Sequence, residues 1–226
     1  MRRYIGFIII LLGLCRVHAA ENTSPTFKMT GDVSLLSQYV EYGLNQSDKS
    51  PALQGSFWFN FGPQFRLGLW GSNTNFKNSD DHFNLRANAD VKVDFSQTTN
   101  AVISYSESQY FKAGDHNGNI FGLHLNFSDF HVLYDHLSNW EGTKHSSSRY
   151  ALGLDFHPWN TWLWENEIGY NTPDVTTINP YFDFKTGLGT KLGPIFLEGS
   201  VTATSAAGDL DGEGDIFFIL SAKTDF

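Results

Sequence analysis

Residues 83–95 are Phe-Asn-Leu-Arg-Ala-Asn-Ala-Asp-Val-Lys-Val-Asp-Phe, thirteen positions of unbroken alternation between apolar and polar side chains. This period of two places the apolar set on one face of a β-strand and the polar set on the other. Thirteen extended residues span about 40 Å, whereas strands of soluble proteins usually end after about five or six residues. A strand that crosses an outer membrane needs about 9–11 residues in the apolar band. The stretch therefore favours a transmembrane β-barrel.

The same alternation recurs along the chain and predicts about twelve strands. We expect them near residues 29–43, 51–61, 64–74, 82–95, 99–110, 118–127, 129–140, 147–157, 161–170, 179–190, 195–204 and 215–226. The connections between them alternate between short turns, such as Gly62-Pro63, and longer polar loops, such as residues 141–146. Outer-membrane barrels have short turns at one end, long loops at the other and an even number of strands. The sequence thus predicts an all-β fold, an antiparallel transmembrane β-barrel of about twelve strands.

Aromatic residues form two predicted rows on the outward face. Those beside the short turns are Phe27, Phe61, Phe65, Phe95, Phe127, Phe130, Phe156, Trp162 and Phe226, and those near the long loops are Tyr39, Trp140, Tyr150 and Tyr170. Two such rows are typical of the interfacial girdles of a barrel. The alternative, a soluble β-sandwich with a phenylalanine-rich core, would need a second sheet to cover the outward face.

The first twenty residues have the pattern of a secretory signal peptide, which divides the chain into a signal peptide at 1–20 and a barrel at 21–226. Arg2 and Arg3 precede an apolar run at 4–14, and Ala19-Ala20 supplies a small-residue cleavage site. Eleven apolar residues are too few for a membrane-spanning helix. The only cysteine of the chain, Cys15, lies within this segment.

The charge balance is acidic, with 24 Asp+Glu against 15 Lys+Arg and a formal net charge of −9. Nucleic-acid binding requires a basic surface, so we do not expect a nucleic-acid partner. Charged residues make up 17% of the chain and aromatic residues 15%. Globular proteins average about 25% charged residues, so the composition agrees with strands that face lipid.

Four pieces near the N-terminus resemble the TorF-type porin family (Gcw_chp). They are residues 30–39, 43–48, 51–55 and 68–73, and their order and spacing carry the resemblance over the first third of the chain. The family pattern has Asp before the tyrosine and Arg-Gly soon after it, whereas this chain has Gln38 before Tyr39 and then Glu41-Tyr42-Gly43. The resemblance implies a porin-like outer-membrane channel and names no substrate.

The inward face of a barrel is its functional surface, and the strand parity predicts which charged residues lie there. We expect the lumen to be lined, and its selectivity set, by Arg66, Arg86, Asp90, Lys92, Asp94, Arg149, Asp155, Glu165, Glu167, Asp183, Lys185 and Glu198. One hypothesis is a transverse field, in which a basic wall at Arg66, Arg86 and Lys92 faces an acidic wall on the later strands. The alternative is that the charges pair locally and fill the lumen, for instance Arg86 with Asp90 and Lys185 with Asp183 or Glu198.

Catalysis and metal binding find little support in the sequence. His131, His136 and His145 are scattered and accompany no nucleophile motif, and there is no HExxH or CxxC pattern. The alternating carboxylates Asp209, Asp211, Glu213 and Asp215 could hold Ca²⁺, although a solvated surface loop is the simpler interpretation. We expect no enzyme activity and no cofactor.

Together these features predict a porin-like channel of the bacterial outer membrane that lets small polar or charged solutes pass. The alternative is a closed barrel with a structural or surface-interaction role carried by its extracellular loops. A twelve-stranded barrel is expected to leave a narrow aqueous lumen unless a loop plugs it. The expected partners are outer-membrane lipid, lipopolysaccharide, small-molecule solutes and, through the C-terminal strand that ends on Phe226, the barrel-assembly machinery.

Overall fold

The computed structural model describes residues 27–159, 161–206, 210 and 213–226. Twelve long strands form one closed antiparallel barrel, and two short strands form a separate hairpin, so the predicted twelve-stranded barrel is confirmed. The strands are β1 (Phe27–Leu36), β2 (Val40–Glu41), β3 (Leu44–Asn45), β4 (Ala52–Phe61), β5 (Phe65–Asn73), β6 (Phe83–Asp94), β7 (Thr99–Phe111), β8 (Gly118–Phe127), β9 (Phe130–Leu137), β10 (Ser147–Trp159), β11 (Trp162–Pro173), β12 (Tyr181–Leu192), β13 (Ile195–Thr204) and β14 (Phe217–Asp225).

Neighbouring barrel strands follow one another in the chain, and β1 closes the barrel by pairing with both β4 and β14. The short connections and the two chain ends of the barrel lie together at one end, which we call the turn end. The longer connections lie at the opposite end, which we call the loop end. Among the described residues no helix is both long and apolar enough to span a membrane.

The outer surface of the barrel is apolar over most of its height. In β10 the outward side chains Tyr150, Leu152 and Leu154 are about half exposed, while Arg149 and Ala151 between them are buried. Phe61, Phe65, Phe95, Phe127 and Phe130 are likewise exposed at the turn end. An apolar belt of this kind, with polar residues turned inward, is the inverse of a soluble barrel and suits contact with lipid.

The first strand is shorter than the sequence pattern predicts, because β1 ends at Leu36 and not near residue 43. Tyr39 and Trp140 were predicted to face outward near the loops, and this is wrong: both are buried, with 5% and 2% of their surface exposed. Each lies beyond the end of its strand, where alternation no longer determines the direction of a side chain. Tyr150 and Tyr170, which lie within strands, are exposed as expected.

The chain between β1 and β4 turns into the barrel and forms what we call the lumen hairpin, residues 39–47. Its strands β2 and β3 pair Val40 with Asn45 and Glu41 with Leu44. The two turn residues, Tyr42 and Gly43, have φ angles of 52° and 79°. Positive φ at both positions is the geometry of a type I′ turn, which fits the twist of a two-residue hairpin.

Apolar packing holds the lumen hairpin at the loop end. Leu44 has no exposed surface and packs in a buried cluster with Trp140, Tyr181, Ala206 and Leu210, which come from the β9–β10 and β13–β14 loops and from β12. The backbone N–H of Asn45 donates to the carbonyl of Glu213 at 2.8 Å. The hairpin is thus tied into the other loops and not merely folded over the opening.

Glycines on the inner face make room for large neighbours from adjacent strands. A Cβ at Gly68 would lie 2.4–2.7 Å from the indole of Trp58. A Cβ at Gly169 would lie 2.3 Å from a carboxylate oxygen of Asp183 and 2.6 Å from Nε of Arg149. Real Cβ atoms do not approach other non-bonded atoms this closely, so the glycines leave room for these side chains against the wall.

Candidate functional site

The charged residues predicted to line the lumen all lie on barrel strands, at positions that alternate with the outward apolar residues. They are Arg66 on β5; Arg86, Asp90, Lys92 and Asp94 on β6; Arg149 and Asp155 on β10; Glu165 and Glu167 on β11; Asp183 and Lys185 on β12; and Glu198 on β13. Apart from Arg86, which pairs with Glu41 of the lumen hairpin, they form three groups inside the barrel, described next.

The first group, on β4–β6, combines cations with an aromatic ring. Arg66 Nη2 lies 2.6 Å from a carboxylate oxygen of Asp90, its direct cross-strand neighbour. The guanidinium of Arg66 stacks on the indole of Trp58, with Cζ 4.1 Å from the ring centroid. Lys92 pairs with Asp94 at 2.8 Å. The expected pairing of Arg86 with Asp90 does not form, because four residues along a strand span about 13 Å.

The second group is a buried ion cluster on the opposite wall. Arg149 donates from Nε and Nη2 to both oxygens of Asp183, at 2.9 and 2.6 Å, and from Nη2 to Glu167 at 2.7 Å. The side chains of Arg149 and Asp183 are only 4% and 5% exposed. The amide of Asn171 donates to Asp183 at 2.6 Å. All four residues belong to barrel strands, so the cluster is a fixed part of the wall.

The third group lies nearer the turn end and is more exposed. Lys185 lies 3.1 Å from Glu165 and 3.2 Å from Glu198. The imidazole of His131 lies between Asp155, at 3.6 Å, and Glu167, at 3.4 Å. The basic and acidic residues of the lumen are therefore interleaved, and each wall carries both signs.

The contact that the sequence pattern did not predict joins the lumen hairpin to the wall. Arg86 on β6 donates from Nη1 and Nη2 to the two carboxylate oxygens of Glu41, both at 2.6 Å. Its Nε donates to Ser108 on β7 at 3.0 Å, and its guanidinium lies 4.8 Å from the ring centroid of Trp70 on β5. The Tyr39 hydroxyl donates to Glu41 at 2.7 Å. A bidentate arginine–carboxylate pair of this kind is among the strongest ionic contacts in proteins.

Further contacts join the tip of the lumen hairpin to several other strands of the barrel wall at the loop end. Tyr42 covers the guanidinium of Arg149, 5.0 Å from its ring centroid. A Cβ at Gly43 would lie 2.7 Å from Cβ of Asp183 and 3.4 Å from Cβ of Thr204. One short segment thus touches β6, β10, β12 and β13. Strand periodicity missed Glu41, Tyr42 and Gly43 as site residues, since it placed them at the end of a first strand over 29–43 and not in a hairpin that folds inward.

The loops around the lumen hairpin are braced by two acidic residues. Asp81 accepts hydrogen bonds from the backbone N–H groups of Ala113, Gly114 and His116 and lies 2.9 Å from the His116 ring. Burial alone would raise the pKa of Asp81, but these bonds outweigh it and hold the pKa below its usual value. They tie the β5–β6 loop to the β7–β8 loop.

Glu141 is the second acidic brace, and its environment differs. The amide of Gln46 donates to both of its carboxylate oxygens at 3.2 Å. Burial, together with the nearby charge of Glu213, raises the pKa of Glu141 to about 8. Burial of this side chain therefore favours its protonated form while it contacts the lumen hairpin.

The free space in the lumen is distributed unevenly. Around the lumen hairpin, between Glu41, Arg86, Tyr110 and Glu141, the cavity volume is about 30 Å³, enough for a water molecule or two. Toward the turn end two larger spaces open, of about 410 Å³ beside Lys191 and Lys223 and about 220 Å³ beside Arg66 and Lys92. The barrel is therefore filled at its loop end and roomy at its turn end.

The sequence also suggested metal-binding and histidine sites. Among the described residues no group of three or more His, Cys, Asp or Glu side chains could hold a metal ion. Asp209 and Asp211 of the acidic loop, like the predicted signal peptide at 1–20, lie outside the described residues. Asp215 pairs with Lys49 at 3.5 Å. On the outer face His136 Nδ1 lies 3.1 Å from the Ser148 hydroxyl, and no carboxylate of the described chain is hydrogen-bonded to this histidine.

Solved structures similar to this one include porins. The KdgM porin aligns with a TM-score of 0.58 and 10% sequence identity, covering 87% of this chain and 99% of that chain. The NanC porin aligns with a TM-score of 0.58 and 7% identity, covering 86% and 97%. The KdgM porin in complex with disordered oligogalacturonate gives a TM-score of 0.55 at 10% identity, covering 87% and 99%. At such low identity the likeness establishes the fold.

Sequence comparisons give the family. A search of curated proteins finds no match. The family model described as "Bacterial protein of unknown function (Gcw_chp)" matches residues 19–217, which is most of the barrel. The chain therefore belongs to the Gcw_chp family of bacterial proteins.

Proposed function

We propose that the protein is a porin-like channel of TorF type in the bacterial outer membrane, which lets small polar or charged solutes pass. The loop end faces the cell exterior and the turn end faces the periplasm. In this orientation the lumen hairpin lies at the outer entrance and the larger cavities open toward the periplasm.

One observation carries this proposal: an inner face lined with ionic and polar side chains is enclosed by an apolar outer surface. Charges such as Lys185, Glu165 and Glu198 are held inside a barrel whose outward residues are mainly Leu, Phe, Tyr and Trp. Buried charges are unfavourable unless they are paired or hydrated, and Glu165 and Glu198 also line the 410 Å³ cavity toward the turn end. We infer a water-filled lumen within lipid.

The similar structures support a polar solute without identifying it. Two are named porins, and one porin is described in complex with disordered oligogalacturonate, a charged sugar polymer. In our proposal the twelve predicted lumen residues set the selectivity of the channel. The lumen hairpin closes the outer entrance, and solutes pass when its tip withdraws from Arg86 and Arg149.

The second candidate is a closed barrel with a structural or surface role, and the packing of Leu44 favours it. Leu44 has no exposed surface, and its cluster joins three connections at the loop end. Burial of a leucine side chain contributes about 1.5–3 kcal/mol. If this packing always holds, the lumen stays shut and only the loops are available to partners.

A conductance experiment separates the two candidates. The wild-type protein would be compared in planar bilayers with a variant in which residues 40–45 are replaced by a short Gly-Ser linker. A channel shows discrete conductance steps, which become larger or more frequent without the lumen hairpin. The matched control replaces the exposed tip of the β5–β6 loop, residues 77–80, by the same linker. If neither the wild type nor the variant with residues 40–45 replaced conducts, although both are folded, the channel is excluded.

The remaining assignments belong to the same proposal. Residues 1–20 are removed as a signal peptide, β14 with Phe226 is recognised by the barrel-assembly machinery, and the apolar belt contacts outer-membrane lipid and lipopolysaccharide. The protein has no catalytic role. N-terminal sequencing of the outer-membrane fraction tests the cleavage, since an intact Met1 would contradict it.

A further inference from the structure

The cations of the lumen differ in where their counter-charges come from. Arg66 is paired by Asp90, Arg149 by Asp183 and Glu167, and Lys185 by Glu165 and Glu198, all of which are barrel-strand residues. Arg86 is paired by Glu41, which belongs to the lumen hairpin. When the hairpin tip moves, the first three cations keep their partners and Arg86 loses its carboxylate.

The wall holds Arg86 in place independently of the hairpin. Ser108 fixes its Nε from β7, and Trp70 lies beside the guanidinium from β5. The side chain is only 14% exposed, with the two Nη atoms directed at Glu41. The wall therefore supplies a preformed receptor for one carboxylate group, and an aromatic ring lies next to it.

The Glu41 carboxylate of the lumen hairpin occupies this carboxylate-binding site. Both of its oxygens are bound by Arg86 in the parallel geometry that planar guanidinium and carboxylate groups prefer. The surrounding cavity is about 30 Å³, so no solute fits while Glu41 is present. A solute and the hairpin tip must compete for Arg86.

We propose that Arg86 binds the carboxylate group of the permeating solute in place of Glu41, so that the solute itself releases the lumen hairpin. This inference rests on the proposed channel function and names its solute class: small organic acids with an apolar or aromatic body that can lie against Trp70. A buried arginine left without a counter-charge is strongly unfavourable. A carboxylate that takes over the pairing removes that cost, and a neutral solute does not.

Binding is tested by titration calorimetry on the folded protein in detergent, with benzoate as the probe and benzamide as its neutral counterpart. Wild-type protein is expected to bind benzoate weakly and benzamide not at all. Glu41→Gln removes the internal competitor's charge and should tighten benzoate binding by about tenfold. Glu41→Asp, which keeps the charge, should remain near wild type, and Arg86→Gln should abolish binding.

The matched control is Glu107→Gln, which changes an exposed carboxylate on the outward face of β7 that accepts a hydrogen bond from the Tyr105 hydroxyl. It should leave benzoate binding unchanged. Equal affinity in Glu41→Gln and wild type, or binding that survives Arg86→Gln, would overturn the inference.

Bilayer recordings separate this inference from the channel function. Benzoate added at constant ionic strength should raise the open probability of the wild type, and benzamide should not. Channels that conduct but respond equally to both probes leave the channel intact and refute the carboxylate site. If the folded wild type and the variant with residues 40–45 replaced both fail to conduct, with or without benzoate, the channel itself is refuted.

Discussion

The ring of Tyr42 covers the guanidinium of Arg149, whose Cζ lies 5.0 Å from the ring centroid. Among the described residues, the Arg149 side chain on β10 donates its hydrogen bonds to Glu167 on β11 and to Asp183 on β12. The hairpin therefore contributes an aromatic contact to Arg149, through Tyr42, whereas it contributes a counter-ion to Arg86, through Glu41. Loss of the hairpin tip should disturb the two arginines very differently.

Removal of Arg149 should strongly destabilise the barrel. Arg149→Met leaves Asp183 and Glu167 without their cation, and breaking a buried ion pair from one side costs about 3–5 kcal/mol. The matched control is Lys92→Met, since Lys92 and Asp94 are both more than 40% exposed. That pair should be worth at most about 1 kcal/mol.

Urea unfolding in lipid vesicles, followed by tryptophan fluorescence, measures both effects. Equal unfolding midpoints for the two variants would mean that the Arg149 cluster is solvated and not a fixed part of the wall.

Truncation of Leu44 should loosen the lumen hairpin without unfolding the barrel. Leu44→Ala leaves a cavity in the buried loop cluster, and such changes cost about 2–5 kcal/mol. Hydrogen exchange of the amides in residues 39–47 should speed up, while that of the β10–β11 amides should not. Leu192→Ala is the control, because Leu192 is exposed at the turn end. Unchanged exchange in residues 39–47 would show that Leu44 does not anchor the hairpin.

The barrel itself could be predicted from the sequence because alternation is a local property of each strand. The stretch at residues 83–95 forms β6 at Phe83–Asp94, and the other barrel strands lie within a few residues of their expected positions, except that β1 ends at Leu36. The turns could be predicted from the same pattern, since the chain must reverse direction between two successive antiparallel strands. A glycine within a strand, such as Gly68, also indicates that a large side chain from the next strand packs closely against the backbone there.

The lumen hairpin could not be predicted, because its direction depends on contacts that are remote in sequence. Glu41 and Arg86 are 45 residues apart, and Gln46 and Glu141 are 95 apart. Charge alone suggested Asp90 as the partner of Arg86, which the strand spacing rules out. Tyr39 belongs to a family-like stretch, but only the fold shows that it turns inward at the end of β1.

Channel closure should depend on pH through Glu141. The pKa of Glu141 is raised to about 8 with the hairpin packed against it. When the hairpin leaves, the carboxyl group is hydrated and its pKa returns toward about 4.3. The packed state therefore holds a proton that the released state gives up, so packing is strongest at acidic pH and weakens as pH rises toward about 8.

Charged groups around Glu141 fix the sign of this effect. Glu213 and Glu41 oppose its ionisation, whereas Arg86 favours it and Gln46 donates to it. Open probability in bilayers should rise between about pH 4 and pH 8 in the wild type, the range between the released and the packed pKa of Glu141, and stay flat in Glu141→Gln. A wild-type profile that is flat, or that falls with pH, would contradict this role.

A methyl group at Gly68 should displace Trp58 and weaken the barrel. Gly68→Ala brings a Cβ within 2.4–2.7 Å of the indole, so the ring must move away from Arg66. Overpacking of this kind costs about 1–3 kcal/mol. Gly199→Ala is the matched control on β13, where the nearest atom would be 3.6 Å away. The thermal unfolding temperature in detergent is measured for both variants. Equal unfolding temperatures for Gly68→Ala and Gly199→Ala would contradict the tight fit of Trp58 against Gly68.

Removing cations near the turn end should make the channel more cation-selective. Arg66→Ala together with Lys92→Ala leaves Asp90 and Asp94 without their partners beside the 220 Å³ space. Arg86 is left unchanged because it also holds the hairpin. The reversal potential in a salt gradient should move toward the cation value, and Lys112→Ala, on an exposed loop pair, should not move it. An unchanged potential for the double variant would exclude these residues from selectivity.

The seam between β1 and β14 has a consequence for the order of folding. Gly31 and Phe226 exchange two backbone hydrogen bonds of 2.9 Å, which join residues from opposite ends of the barrel sequence. Contacts of such long sequence separation form late, because the intervening chain must first lose its freedom. The lumen hairpin follows β1 directly yet touches β6, β10 and β12, so it reaches its place only as the sheet curves around it. Hairpin insertion therefore accompanies or follows ring closure, and a chain stalled before insertion would leave Leu44 and Glu41 in water.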